Sequence, residues 1–199
     1  MTTDDPLSGM LDLYCRELKL PGLRTGYAAI ARDAMNQGQS YPAFLAACLA
    51  SEIASRREHR LTTRLAQARF PVAKTLETFD FAAIPELSST VIRTLAEGAF
   101  IGARENVILL GNPGTGKTHI ATAIGVGCIQ TGYRVRFIAA VTLAQELLAA
   151  QQEYRLPRYL KSWHPIDLVI LDELAIWVLD PVVRSSFSSV PNATSGAAF

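Results

Sequence analysis

Apolar residues recur at helical spacing through the first third of the chain. Leu7, Leu11, Tyr14 and Leu18 return every three or four positions until Pro21 and Gly22 interrupt the pattern, with Asp5 and Pro6 supplying an N-cap and first turn. Residues 25–37 repeat the period and Gly38 ends it. Ser40 and Pro42 then open a third helix expected to reach about residue 68. Its first half offers an apolar face through Leu45, Leu49 and Ile53. Residues 70–83 break the period with proline and carry Phe79 and Phe81, the pattern of a linker that wraps apolar side chains against the next domain. Helical spacing resumes at Leu87, Val91 and Leu95 and closes near Gly98.

Beyond Asn106 the period changes. Residues 107–110 form a continuous apolar run too short for a helix and bounded by glycine, the pattern of a buried parallel strand. A helix over 117–130, stopped at Thr131 and Gly132, leads to a strand over 133–138. A helix over 141–152 and a strand over 166–171 come next. Strands alternating with helices predict an α/β domain with a parallel sheet, preceded by a helical N-terminal segment.

Composition limits what such a chain can be. Its 199 residues, 49% hydrophobic and 19% charged, bury one sizeable core with an accessory segment. With 19 Lys+Arg against 18 Asp+Glu the formal charge is +1, so affinity for nucleic acid has to come from a local patch. Cys15, Cys48 and Cys128 show no paired spacing, which points away from a disulfide framework or a zinc site. No apolar run approaches the roughly 20 residues of a membrane span. Asp4 and Asp5 stand where a secretory signal carries basic residues. The expectation is a cytoplasmic protein away from membranes.

Charge is concentrated in the second half of the third helix, where Arg56, Arg57, Arg60, Arg64 and Arg69 face only Glu58 in opposition. Three-and-four spacing places Arg57, Arg60 and Arg64 on one side, as either a solvated basic face or a phosphate-binding surface.

The strongest chemical signal is the run Gly111, Asn112, Pro113, Gly114, Thr115, Gly116, Lys117 and Thr118, which satisfies the phosphate-loop pattern between an apolar run and a helix. Its glycines let successive N–H groups converge on one point, and the following helix adds its positive dipole end. Lys117 reaches the β and γ phosphates as a mobile charge, and the Thr118 hydroxyl ligates the Mg2+ that bridges them. His119 is most simply an early helix residue, counted with the nucleotide-binding set. Asp172 and Glu173 end the last apolar strand, which brings them to the carboxyl edge of the sheet. There Asp172 orients the metal and Glu173 polarises the attacking water. His59 and His164 have no partner in a nucleophile or metal spacing. Trp163 and Trp177 read as core or edge fillers, and Asp167, Asp172, Glu173 and Asp180 are too few for a two-metal nuclease.

The order of these features resembles the IstB-type helper ATPases of insertion sequences, AAA+ proteins related to the DnaC helicase loader. The likeness runs from about residue 11 to 183. It is carried by Leu18, Pro21 and Gly22, by 64–70 with 74–77 and 79–81, and by the phosphate loop with His119. It continues through 132–136 and Asp172, Glu173 and Leu174. The resemblance implies a DNA-binding and assembly segment over 1–69, a linker and helix over 70–100, and an AAA+ ATP-binding domain over 101–183. It further implies ATP and Mg2+ as cofactors, duplex DNA and the transposase of the same insertion sequence as partners, and a homo-oligomer. Arg56, Arg57, Arg60 and Arg64 then become phosphate contacts. Two alternatives stand beside it: a helicase loader of the DnaC type, and a decayed or dominant-negative fragment.

The likeness stops near Val183, and residues 184–199 are rich in Ser and Ala without any period. The relatives continue with a further strand, a polar sensor residue and an arginine finger. In AAA+ sheets that strand lies between the phosphate-loop strand and the strand bearing Asp172. Its loss leaves a gap of roughly twice the 4.8 Å strand spacing. The expectation is an incomplete sheet with exposed apolar edges, weak ATP binding and weaker hydrolysis.

Overall fold

The computed structural model describes residues 6–72, 74–84 and 87–173. The readings at Asp5, Leu174, Trp177, Asp180 and the 184–199 tail lie outside these residues. Two compact units divide the chain, residues 1–62 and 63–199.

The first unit holds helices α1 (Pro6–Glu17), α2 (Pro21–Asn36) and most of α3 (Tyr41–Ala68). The turn after α1 is made at Lys19, whose φ is 55°, and by the Leu20 N–H, which donates to the Cys15 carbonyl at 2.7 Å. Pro21 and Gly22 do not end a helix, as the sequence suggested. They begin α2 four residues earlier than expected, because proline at the first helical position gives up an N–H that has no partner there anyway. Gly22 is required by packing: a Cβ there would stand 2.6 Å from the Cβ of Ser55. Ser40 caps α3 as read, its Oγ accepting from the Ala43 N–H at 3.4 Å.

Leu45, Leu49 and Ile53 share a face of α3, and that face is half exposed, at 57%, 50% and 50%. The residues that α3 buries within this unit are Cys48 and Glu52. Helical period gives the face; it does not say what covers it.

The second unit is built around a two-stranded parallel sheet, β1 (Val135–Ala139) and β2 (Leu168–Asp172), in register from Val135 against Leu168 to Ala139 against Asp172. Strand alternation sends neighbouring residues to opposite faces. On one face Ile170 meets α6 (Lys117–Thr131), a helix apolar on most sides, and approaches so closely that a Cβ on Gly125 would lie 2.7 Å from its Cδ1. Phe70 and Phe137 add an edge-to-face pair at 6.1 Å. On the other face Ile138, Val169 and Leu171 join Leu143 and Leu147 of α7 (Ala140–Gln152) and Tyr159, Leu160 and Trp163 of α8 (Leu156–Trp163). Helices on both faces of a parallel sheet make this an α/β fold. Helix α4 (Ser89–Ala96) packs on α6, where a Cβ on Gly127 would come within 2.6 Å of the Ala96 Cβ. A short α5 (Ala99–Ala103) comes after it. Neither α5 nor α8 was expected from the sequence.

The strand expected over 107–110 is not formed. Val107, Ile108 and Leu110 are instead 37%, 52% and 73% exposed. A strand exists only where a neighbour's ladder takes up its N–H and C=O groups, and among the described residues the ladder joins β1 and β2 alone. No helix among these residues is long and apolar enough to cross a membrane.

Candidate nucleotide site

The site forms where the 111–116 loop enters α6 and where β2 ends. Gly114 and Gly116 both have φ of 80°, in the left-handed region that a side chain disfavours, and this curls the loop back toward the first turn of α6. Thr115 fastens the curl, its Oγ1 donating to the Asn112 carbonyl at 2.9 Å. Helix α6 starts at Lys117 with the Ile120 N–H donating to the Gly116 carbonyl at 2.9 Å.

Lys117 lies across the loop that precedes it. Its Nζ donates to the carbonyls of Gly111 at 2.9 Å and Asn112 at 2.7 Å. The ammonium is thereby folded back onto the loop, on contacts that it can exchange for phosphate oxygens. Thr118 spans to the sheet, its Oγ1 donating to Asp172 Oδ2 at 2.8 Å, across 54 residues of sequence. Asp172 is the last residue of β2, and its other carboxylate oxygen accepts the Glu173 N–H at 2.9 Å. Glu173 is exposed with φ of 56°, a conformation that costs a non-glycine residue roughly 1–2 kcal/mol. The structure thus brings together Lys117, Thr118, Asp172 and Glu173 as the sequence anticipated, at the carboxyl edge of the sheet. Gly111, Asn112, Pro113, Gly114 and Thr115 are exposed along the loop.

His119 takes a different direction. Its Nε2 sits 3.2 Å from the Thr75 carbonyl and 3.3 Å from Thr78 Oγ1, and its ring stands edge-on to Phe79 with centroids 5.0 Å apart. In the sequence, residues 75–79 belong to the linker and to the stretches that carry the family likeness. No signal in the letters joins them to His119, since the partners are 41 and 44 positions away.

The four arginines read as DNA contacts divide. Arg56 is committed within the first unit, donating from Nε to Glu52 Oε1 at 2.6 Å and from Nη2 to the Lys19 carbonyl at 2.8 Å. Glu52 is buried, and its other oxygen accepts the Leu23 N–H at 3.0 Å, closing the start of α2. That carboxyl is held below its ordinary range, chiefly by the Arg56 hydrogen bond. The N–H groups of Leu23 and Gly22 assist, and burial opposes. Arg64, in the second unit, donates to the Gly132 carbonyl just past the end of α6, where a cation also meets the negative end of the helix dipole. Arg57 and Arg60 stay exposed, one turn apart, with Arg60 Nε donating to the Arg56 carbonyl at 3.2 Å.

Comparison with known proteins identifies the family of the chain. The family described as IstB-like ATP binding protein matches residues 14–190. An ATP-binding protein of insertion sequence IS21 from Pseudomonas aeruginosa is 40% identical over 182 residues, 92% of this chain and 69% of the relative. Another, of insertion sequence IS5376 from Geobacillus stearothermophilus, is 37% identical over 168 residues, 84% of this chain and 67% of the relative. A third, an insertion-sequence ATP-binding protein of Sinorhizobium fredii, is 36% identical over 176 residues, 88% of this chain and 59% of the relative. The chain therefore spans between 59% and 69% of the length of these relatives. A match over residues 14–190, which takes in α2, α3, the phosphate loop and the Asp172 strand, leaves one assignment: this chain belongs to the IstB-like ATP binding protein family.

Proposed function

We propose that the chain binds ATP with Mg2+ at the phosphate loop and duplex DNA on its N-terminal helices. In this reading it serves, as a homo-oligomer, the transposase of its own insertion sequence. The hydrogen bond between Thr118 and Asp172 carries the nucleotide part. It holds a hydroxyl and a carboxylate oxygen 2.8 Å apart beside Lys117, two hard donors of the kind Mg2+ accepts while keeping waters and phosphate oxygens for its other positions. Thr118 and Asp172 would hold the ion, which neutralises charge on the β and γ phosphates when bound.

The remaining roles belong to the protein's own groups. Loop N–H groups and the start of α6 receive the phosphates. Lys117 exchanges two carbonyls for phosphate oxygens. Glu173, exposed next to Asp172, orients a water and accepts its proton during hydrolysis. Arg57 and Arg60 supply the DNA contacts. Arg56 and Arg64 act on the fold, because their guanidinium groups are already engaged by Glu52, Lys19 and Gly132.

Titration calorimetry with ATP, with and without Mg2+, tests the reading. Saturable binding strengthened by Mg2+ is expected, and no heat at saturating nucleotide would end it. Glu173→Gln is expected to leave ATP affinity within about twofold while phosphate release falls by about 10² or more, the usual size of a general-base contribution.

A further inference from the structure

The clasp between His119 and residues 75–79 has no part in the ATP chemistry proposed for Lys117, Thr118, Asp172 and Glu173, yet it touches the phosphate loop at two points. One is His119 itself, the residue after Thr118. The other is Gly116, where a Cβ would lie 3.0 Å from Cε2 of the Phe79 ring. The ring packs against the left-handed glycine that precedes Lys117.

The chemistry of the clasp fixes its proton. A carbonyl oxygen only accepts, so the bond to Thr75 requires the hydrogen on Nε2 of His119. Thr78 Oγ1 spends its own hydrogen on the Thr75 carbonyl at 2.9 Å and so also accepts from His119. The turn is closed from the other side by the Thr75 N–H, which donates to Thr78 Oγ1 at 3.2 Å. One imidazole N–H thus holds a small self-capped turn, and the turn holds Phe79 against the loop. A second aromatic contact, Phe79 to Phe81 at 4.9 Å, carries the packing further along the segment.

We propose that His119 and Phe79 are positioning residues that couple nucleotide occupancy of the phosphate loop to the 74–84 segment. The inference rests on ATP binding at the phosphate loop and extends it. Binding makes Lys117 leave the Gly111 and Asn112 carbonyls and draws the N–H groups around Gly116 onto phosphate. The first turn of α6 and Gly116 are the parts so ordered, and they are the parts that Phe79 and His119 grip. Ordering the loop therefore orders the segment.

Hydrogen exchange on the full chain, free and saturated with Mg-ATP, reads this directly. In the unaltered protein, ATP is expected to slow exchange of the Thr78 and Phe79 amides at least tenfold; these donate to Thr75 and Leu76 within the turn. His119→Leu, which keeps bulk and removes the donor, is expected to bind ATP and lose that slowing. His119→Gln restores an N–H donor and is expected to recover most of it. A role in stability alone would speed exchange equally with and without nucleotide, so the difference between the two states is the readout. Phe79→Ala gives a second approach should His119→Leu not fold, with the same loss expected. If the leucine or alanine variant binds ATP and keeps the slowing of the unaltered protein, the coupling is wrong while the ATP site stands. If calorimetry finds no ATP binding by the unaltered chain, both fall together.

Discussion

At the scale of single residues, two ammonium or guanidinium groups illustrate opposite uses of charge. Lys117 is held by carbonyls of its own loop, contacts weaker than those it would make with a triphosphate. Lys117→Ala is therefore expected to weaken ATP binding by roughly 10- to 100-fold, the value of one to two charge-assisted hydrogen bonds, with little change in thermal stability. Calorimetry and a melting curve of the same sample check both parts. Arg56 is the reverse case, because its partner Glu52 is buried and also closes the start of α2. Since the folded-state pKa of Glu52 lies below its unfolded value, its contribution to stability is complete above the ordinary carboxylate range. It is lost as pH falls through the lowered value. Glu52→Gln is expected to lower the urea midpoint of the N-terminal helices at pH 7 and to flatten its decline as pH falls through and below the ordinary carboxylate range. A parallel decline in the variant and the unaltered chain would refute the role given to Glu52.

At the scale of elements, the 107–110 run is the feature that pattern alone misjudged. Its apolar residues satisfy the strand signature, but a parallel strand is a contract with a neighbour, and none is present among the described residues. Three exposed apolar side chains on backbone without a ladder make a template for self-association. Ile108→Lys with Leu110→Lys is expected to reduce light scattering of the purified chain at tens of micromolar, with no fall in melting temperature. A large fall would show those side chains to be packed. The same distinction explains what was legible beforehand. The phosphate loop and the Asp172–Glu173 end of β2 could be read because their constraints are local: glycines at φ of 80°, a lysine and hydroxyl in fixed sequence, an acid after an apolar run. The limits of α3, α6 and α7 were legible from period and caps. Helix α8 was not: its period is strong, but eight residues beginning Leu-Pro are fewer than the roughly 11 over which helical spacing is read. Nor was the reach of His119 to Thr75, which depends on chain segments brought together only by folding.

At the scale of the whole molecule, a formal charge of +1 gives DNA no reason to approach one face over another, so the DNA binding we propose has to arise from a few placed cations. Of the arginines on α3, the exposed pair Arg57 and Arg60 can release counterions from a duplex without surrendering a side-chain ion pair seen among the described residues. Each phosphate neutralised contributes about 0.9 to the slope of log affinity against log salt. Arg57→Gln with Arg60→Gln is therefore expected to lower that slope by about 2 and to weaken binding to unrelated duplexes equally, because phosphate contacts carry no sequence information. Surface changes of this kind normally alter stability by less than about 0.5 kcal/mol, so the melting temperature serves as the control. Arg64→Gln is expected to behave differently, leaving the slope unchanged while loosening the Gly132 end of α6. In an oligomer the two-cation strip is repeated along one duplex, so affinity rises steeply with the number of subunits although each contributes little. Anisotropy titrations of a labelled duplex at several salt concentrations, with and without Mg-ATP, measure slope and cooperativity together. An unchanged slope in the double variant would move the DNA interface off α3.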